Sequence, residues 1–189
     1  AVLCNDVDLS GFDWTPIGSG TNKFNGSFDG ENHTINGLYI NKAEDRVGLF
    51  GYLGAKASIR RLGVTGNVTA SGKKWVGGIA GYADNGAAID RCWNGANVTG
   101  QEKVAGIIGG VQSYKVTVSN CYNVGTITAM KASSAYPAGI GSIGSYTSYA
   151  PTIRSSYNAG TIKGASGAAI GWGSDVANSY YLDTCGATG

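Results

Sequence analysis

The sequence predicts an all-β fold, a parallel β-solenoid of five to six coils, each about thirty residues long and built from three short strands. Three observations carry this expectation. Two different motifs recur with one shared period, a third strand-like motif closes each repeat, and no segment sustains a 3.6-residue apolar rhythm.

The first motif is a small pair, an apolar residue and a glycine. It reads Val47-Gly-Leu-Phe-Gly-Tyr52, Gly77-Gly-Ile-Ala-Gly-Tyr82, Ala105-Gly-Ile-Ile-Gly-Gly110, Ala138-Gly-Ile-Gly-Ser142 and Ala168-Ala-Ile-Gly-Trp172. With Gly48, Gly78, Gly106, Gly139 and Ala169 as equivalents, the steps are 30, 28, 33 and 30 residues. Glycines at this density would cost a helix about 1 kcal/mol each relative to alanine, so strands and tight turns are expected.

The second motif follows each first one: Ile59-Arg-Arg-Leu-Gly-Val64, Ile89-Asp-Arg-Cys-Trp-Asn94, Val118-Ser-Asn-Cys-Tyr-Asn123, Ile153-Arg-Ser-Ser-Tyr-Asn158 and Val176-Ala-Asn-Ser-Tyr-Tyr181. The third is a short alternating strand: Gly66-Asn-Val-Thr69, Ala96-Asn-Val-Thr99, Gly125-Thr-Ile-Thr128 and Gly160-Thr-Ile-Lys163. One such coil cannot bury its own apolar face. Coils stacked about 4.8 Å apart would line Val68, Val98, Ile127 and Ile162 into an internal column. Longer inserts, Met130 to Tyr136 and Ser145 to Ala150, are expected at corners. Residues 1–46 read as a lead-in with the first coil or coils, 47–175 as the repeats and 176–189 as a C-terminal cap, all one continuous domain.

Composition narrows the function classes. Of 189 residues, 32 are glycine and 3 proline, only 14% are charged, and the net charge is +2. Apolar residues recur throughout, so the chain should fold. The lysines and arginines are scattered, which argues against nucleic acid as a partner. No apolar stretch approaches the roughly eighteen residues of a membrane helix, so direct membrane insertion is not expected, and the amino terminus lacks the pattern of a signal peptide. Cys4, Cys92, Cys121 and Cys185 have no metal-site spacing, and neither a metal nor another cofactor is expected. Cys92 and Cys121 occupy equivalent repeat positions and read as buried thiols.

The glycine motif followed by Ile-x-x-Cys-Tyr-Asn-x-Gly-x-Ile resembles the GLUG repeat of secreted and surface-attached bacterial proteins, including regions beside IgA-specific metallopeptidase domains. The resemblance covers roughly residues 14 to 185. Asn5-Asp-Val-Asp-Leu9, Trp14-Thr-Pro-Ile-Gly18, Phe24-Asn-Gly-Ser-Phe-Asp-Gly30 and His33-Thr-Ile-Asn-Gly-Leu38 are similar to the segment that commonly precedes such repeats. The resemblance implies a right-handed parallel β-helix and an extracellular or cell-surface setting, and it brings no shared catalytic residues. Ser156 and Ser179 depart from it by standing where cysteine is expected.

Among candidate sites, the aromatic series Trp93, Tyr122, Tyr157 and Tyr180 stands out, because a ladder with exposed ring faces could take sugar rings or another protein. Stacking for structure alone is the rival reading. Asn94, Asn123 and Asn158 form a neighbouring column suited to hydrogen-bonding turn backbones. Asp29, Glu31 and His33 lie close in sequence but read as a turn entering a strand, and Asp6, Asp8 and Asp13 as a solvated edge. The Asn-Val-Thr series would present a polar face explained by β-propensity. Cys4 and Cys185 sit near opposite ends, where they could lock an end-to-end assembly.

The expected function is therefore a non-catalytic, adhesin-like surface module binding a host or neighbouring-cell protein or glycan. The alternatives are a subunit assembling end to end into a filament and, third, a carbohydrate-active β-helix enzyme.

Overall fold

The structure, a computed structural model, describes residues 1–113, 115–144, 149–172 and 175–186. It is a parallel β-solenoid of about four turns at about 29 residues per turn. The sequence suggested five to six coils. The difference lies at the ends, where pairing shrinks to isolated bridges such as Val2 with Asp29, Ile17 with Phe50 and Gly141 with Gly171. The inserts at 130–136 and 149–150 fall between strands, whereas 145–148 lie outside the described residues.

Three sets of parallel strands build the walls. The second motif opens on a six-stranded sheet of Ser27–Asp29, Ser58–Arg60, Ala88–Asp90, Thr117–Ser119, Thr152–Arg154 and Val176–Ala177. Its register stacks Phe28, Ile59, Ile89, Val118 and Ile153, all buried. The third motif lies in a ten-stranded sheet, where Ile40, Val68, Val98, Ile127 and Ile162 pair rung on rung and are at most 3% exposed. That is the internal column that the alternating pattern requires, since one residue in two faces inward. The first motif supplies the third wall, Phe50–Leu53, Ala80–Ala83 and Ile108–Val111.

Corners are made by residues with left-handed backbone. Arg61, Arg91, Asn120, Ser155 and Asn178, all at φ of 48–54°, recur directly after the six-stranded wall. A second such column, Arg46, Trp75, Lys103, Tyr136 and Ser166, precedes the glycine motif. Few non-glycine residues adopt this conformation, so its recurrence at fixed repeat positions shows that stacking between rungs imposes it.

Glycine in the first motif answers to a close approach. An added Cβ at Gly78, Gly106 or Gly139 would lie 2.0–2.6 Å from the neighbouring rung's carbonyl oxygen or from the side chain of Asn94, Asn123 or Asn158 respectively. These asparagines are fully buried and form an amide ladder. Asn94 Nδ2 donates to Asn123 Oδ1 at 2.8 Å, and Asn123 Nδ2 to Asn158 Oδ1 at 2.7 Å. Each Nδ2 also donates to a carbonyl two residues on, at Ala96, Gly125 and Gly160. The expected asparagine column is thus a buried polar spine, tolerable in the core because its donors are engaged.

Candidate functional site

Next to the asparagine spine, the same short strands carry the aromatic series on the outside. Residues Thr34, Gly63, Trp93, Tyr122, Tyr157 and Tyr180 share one register column. Trp93, Tyr122 and Tyr157 form a parallel stack, with centroids 5.7 and 4.9 Å apart and interplanar angles of 2° and 4°. Burial raises the Tyr122 phenol above its usual range, followed by the effect of neighbouring Tyr157.

For Trp93 and Tyr122 this orientation leaves no open ring face, whereas Tyr157 and Tyr180 remain exposed. The rung spacing forces the rings to lie on one another, so the faces of Tyr122 are covered by its neighbours. The outer face of Trp93 rests on Gly63, where an added Cβ would lie 2.3 Å from Cε2 of the indole. At these two rings solvent meets the edges. Tyr180 is in register with Tyr157 but makes no ring stack with it; the two line an apolar depression of about 300 Å³ with Tyr181 and Leu182.

A second depression, of about 320 Å³, opens at the Trp93 end of the ladder, lined by Asn32, Arg61, Gly63, Arg91, Trp93, Asn120 and Tyr122. It arises because the left-handed corner column runs beside the ring column, setting two arginines and two asparagines against the ring edges. The two arginines differ. Arg61 donates through Nε and Nη2 to Asp29, at 2.9 and 2.5 Å, and through Nη2 to Glu31. These bonds from Arg61, reinforced by the Glu31 backbone N–H and by Arg60, hold the Asp29 carboxyl far below the usual range against the opposing effect of burial. Arg91 donates from Nε to Asp90 Oδ2 at 2.7 Å. Asp90 Oδ1 accepts from Ser119 Oγ and Asn120 Nδ2, both at 2.8 Å.

The acidic candidates Asp6, Asp8 and Asp13 are separately engaged. Asp6 accepts from the Thr34 backbone N–H at 2.9 Å and lies 3.1 Å from His33 Nδ1, Asp8 accepts from the Ser10 N–H, and Asp13 pairs with Lys42 at 3.0 Å. Glu31 and Asp29 face Arg61 and do not join His33, so the structure does not assemble these residues into one cluster. Cys92 and Cys121 are buried free thiols, and burial pushes the Cys92 thiol well up. Cys4 is exposed, but Cys185 is 4% exposed, in the short 3-10 turn Asp183–Cys185 after the last strand. Its burial removes it from the reach of a junction disulfide, against the expectation that both terminal cysteines could serve one.

A cation–aromatic cluster escaped the sequence reading. The Arg46 guanidinium lies 4.9–5.5 Å from the ring centroids of Tyr52, Trp75 and Tyr82, and Lys74 and Lys103 also approach Trp75. Arg46 Nε and Trp75 Nε1 are buried without a hydrogen-bond partner among the described residues. Arg46, Trp75 and Lys103 share one corner column and Tyr52 and Tyr82 one wall column, but the residue type changes from rung to rung in the first, so no repeated pair announces the cluster. No helix among the described residues is long and apolar enough to cross a membrane.

No family model matches the chain. It is 35% identical over 78 residues to a "Putative Gly-rich membrane protein" of Evansella cellulosilytica, covering 37% of this chain and 9% of that protein. It is 35% identical over 123 residues to "Halomucin" of Haloquadratum walsbyi, covering 63% of this chain and 1% of that protein. The chain thus spans less than a tenth of either relative. Among solved structures, a "putative immunoglobulin A1 protease" from Bacteroides ovatus superposes with a TM-score of 0.67 at 22% identity, over 97% of this chain and 68% of that one. That likeness concerns the fold.

Proposed function

We propose that this chain is a non-catalytic, adhesin-like module of an extracellular surface protein, holding a rigid binding face toward a glycan or protein of a host or neighbouring cell. The depression at the Trp93 end of the ladder carries this reading. It joins aromatic edges to arginine and asparagine side chains on corners fixed by the rungs, with one continuous core beneath. Binding sites of this kind combine aromatic area with a few placed polar groups on a rigid support.

Two further observations favour the reading. The related segments are small parts of much longer proteins, named as a Gly-rich membrane protein and a halomucin, which suits a repeat module in a surface chain. The carboxylates beside the depression are committed to arginine partners, which suits binding better than acid–base work. The experiment is a glycan-array and cell-binding screen with the chain and its Trp93→Ala and Tyr122→Ala variants, each checked for fold by circular dichroism. Binding that both variants lose, with ligand recovered at unchanged mass, is the expected result. Binding indifferent to both changes, or release of cleaved product, would overturn the proposal.

A further inference from the structure

We infer that the depression between the left-handed corner and the ring ladder recognises a carboxylate-bearing sugar, with the Arg91 guanidinium as its anchor. This inference rests on the binding role proposed above and narrows it to one class of ligand.

The ring geometry decides first against neutral sugars. A neutral sugar gains most by laying its C–H face on an aromatic face, and here both faces of Trp93 are occupied, one by Gly63 and one by Tyr122. What remains is the ring rim. The rim carries the positive part of the aromatic quadrupole and so favours oxygen acceptors and anions.

The polar lining agrees. Arg91 is tethered through Nε to Asp90, whose other oxygen is held by Ser119 and Asn120, so the carboxylate is fully engaged and the guanidinium is oriented. Its side chain is 58% exposed, and Nη1 and Nη2 have no partner among the described residues. A planar fork with two free N–H groups on a fixed stem matches a carboxylate in bidentate fashion. The indole Nε1 of Trp93 is likewise without a partner among the described residues, and Asn32 adds an amide to the lining. Arg61, by contrast, is spent on Asp29 and Glu31 and serves as wall. Free donors therefore outnumber free acceptors, and a volume of about 320 Å³, at the small end of ligand sites, suits one acidic sugar residue.

The test is a heteronuclear NMR titration of the ¹⁵N-labelled chain with tetragalacturonate, its methyl ester and a sulfated galactan tetrasaccharide. The expected result is saturable movement of the Trp93 indole and Arg91 Nε signals with the free acid, at least tenfold weaker binding of the ester, and at least tenfold loss in Arg91→Gln. Lys163→Ala, outside the lining of the depression, should bind as the parent does. Equal binding of acid and ester, no binding of the acid, undiminished binding by Arg91→Gln, or equal binding of the sulfated sugar would each overturn the carboxylate assignment. If another glycan or a protein still binds and Trp93→Ala abolishes that binding, this inference fails while the broader binding role stands. If ligands bind and Trp93→Ala changes nothing, the broader role fails as well.

Discussion

Replacing Asn123 by alanine tests the buried spine on which the surface ladder sits. Asn123 donates to Asn158 Oδ1 at 2.7 Å and to the Gly125 carbonyl at 3.0 Å, and accepts from Asn94 at 2.8 Å. Each buried bond contributes about 1 kcal/mol net, and a buried acceptor left unpaired costs about 1–3 kcal/mol. The Gly125 carbonyl is the acceptor that loses this donor. The two bonds to neighbouring asparagines and the unpaired Gly125 carbonyl sum to about 3–5 kcal/mol, a large fraction of the roughly 5–15 kcal/mol that holds a domain of ordinary stability. Asn67 is the control, because it is exposed and its one inter-rung amide contact, from Asn97 at 3.2 Å, competes with water. Asn67→Ala should change stability by no more than about 0.5 kcal/mol. Urea unfolding followed by circular dichroism, read as midpoint and slope, makes the comparison. The Asn94→Ala/Asn123→Ala pair should fall short of additivity by about 1 kcal/mol, since the two share a bond. An Asn123→Ala loss below about 1 kcal/mol, or one equal to the Asn67→Ala loss, would refute the claim that the spine holds the rungs in register.

Other outcomes follow from the same structure. Gly106→Ala should abolish folding or remove at least about 3 kcal/mol, because the new Cβ would lie 2.4 Å from the Gly139 carbonyl oxygen and 2.5 Å from Asn123 Oδ1; soluble yield and thermal melts check it. Val98→Ala should cost about 2–3 kcal/mol by opening the internal column, as thermal or urea melts would show. Asp29 has its folded pKa depressed, mainly by the hydrogen bond from Arg61, so its contribution is present above the ordinary carboxylate pKa of about 4 and is lost as pH falls toward the depressed value. Asp29→Asn should therefore flatten the loss of stability between about pH 4 and pH 2 relative to the parent, in urea melts across that range. A maleimide added to the native chain should label Cys4 promptly and Cys92, Cys121 and Cys185 only on unfolding, as peptide mass spectrometry would show.

The parts of the fold legible in the sequence are those that repeat. Val68, Val98, Ile127 and Ile162 declare an inward column because a two-residue alternation recurs at the coil period, and Asn94, Asn123 and Asn158 declare a spine for the same reason. The aromatic column was legible as a column, and Trp93, Tyr122 and Tyr157 do meet. Ring orientation was not, because a shared repeat position fixes spacing along the axis and leaves the side-chain torsions to local packing. Gly63 held the missing signal: it stands where the following repeats carry an aromatic residue, and its lack of a side chain is what seats the Trp93 ring. The corner depression was hidden for another reason. Arg61, Arg91 and Asn120 occupy one repeat position with differing residues, so the column shows in the backbone angle rather than in residue identity. Arg46 and Trp75 likewise share one corner position with differing residues, and their contacts with Tyr82 join two different columns, so the repeat does not announce them.

Stacked coils in this register are the claim on which the ladder, the spine and the corner site all depend. Spin labels at Asn41 and Lys163, on a Cys4→Ser background, measure it by pulsed electron resonance. These positions share one outward column through Thr69, Thr99 and Thr128. Four rungs at about 4.8 Å place the backbone sites about 19 Å apart, although 122 residues of chain separate them. A narrow distribution near that distance, shortening to about 14 Å for the Asn41 and Thr128 pair, is the predicted result. A broad distribution, or one centred beyond about 30 Å, would contradict the stacked solenoid.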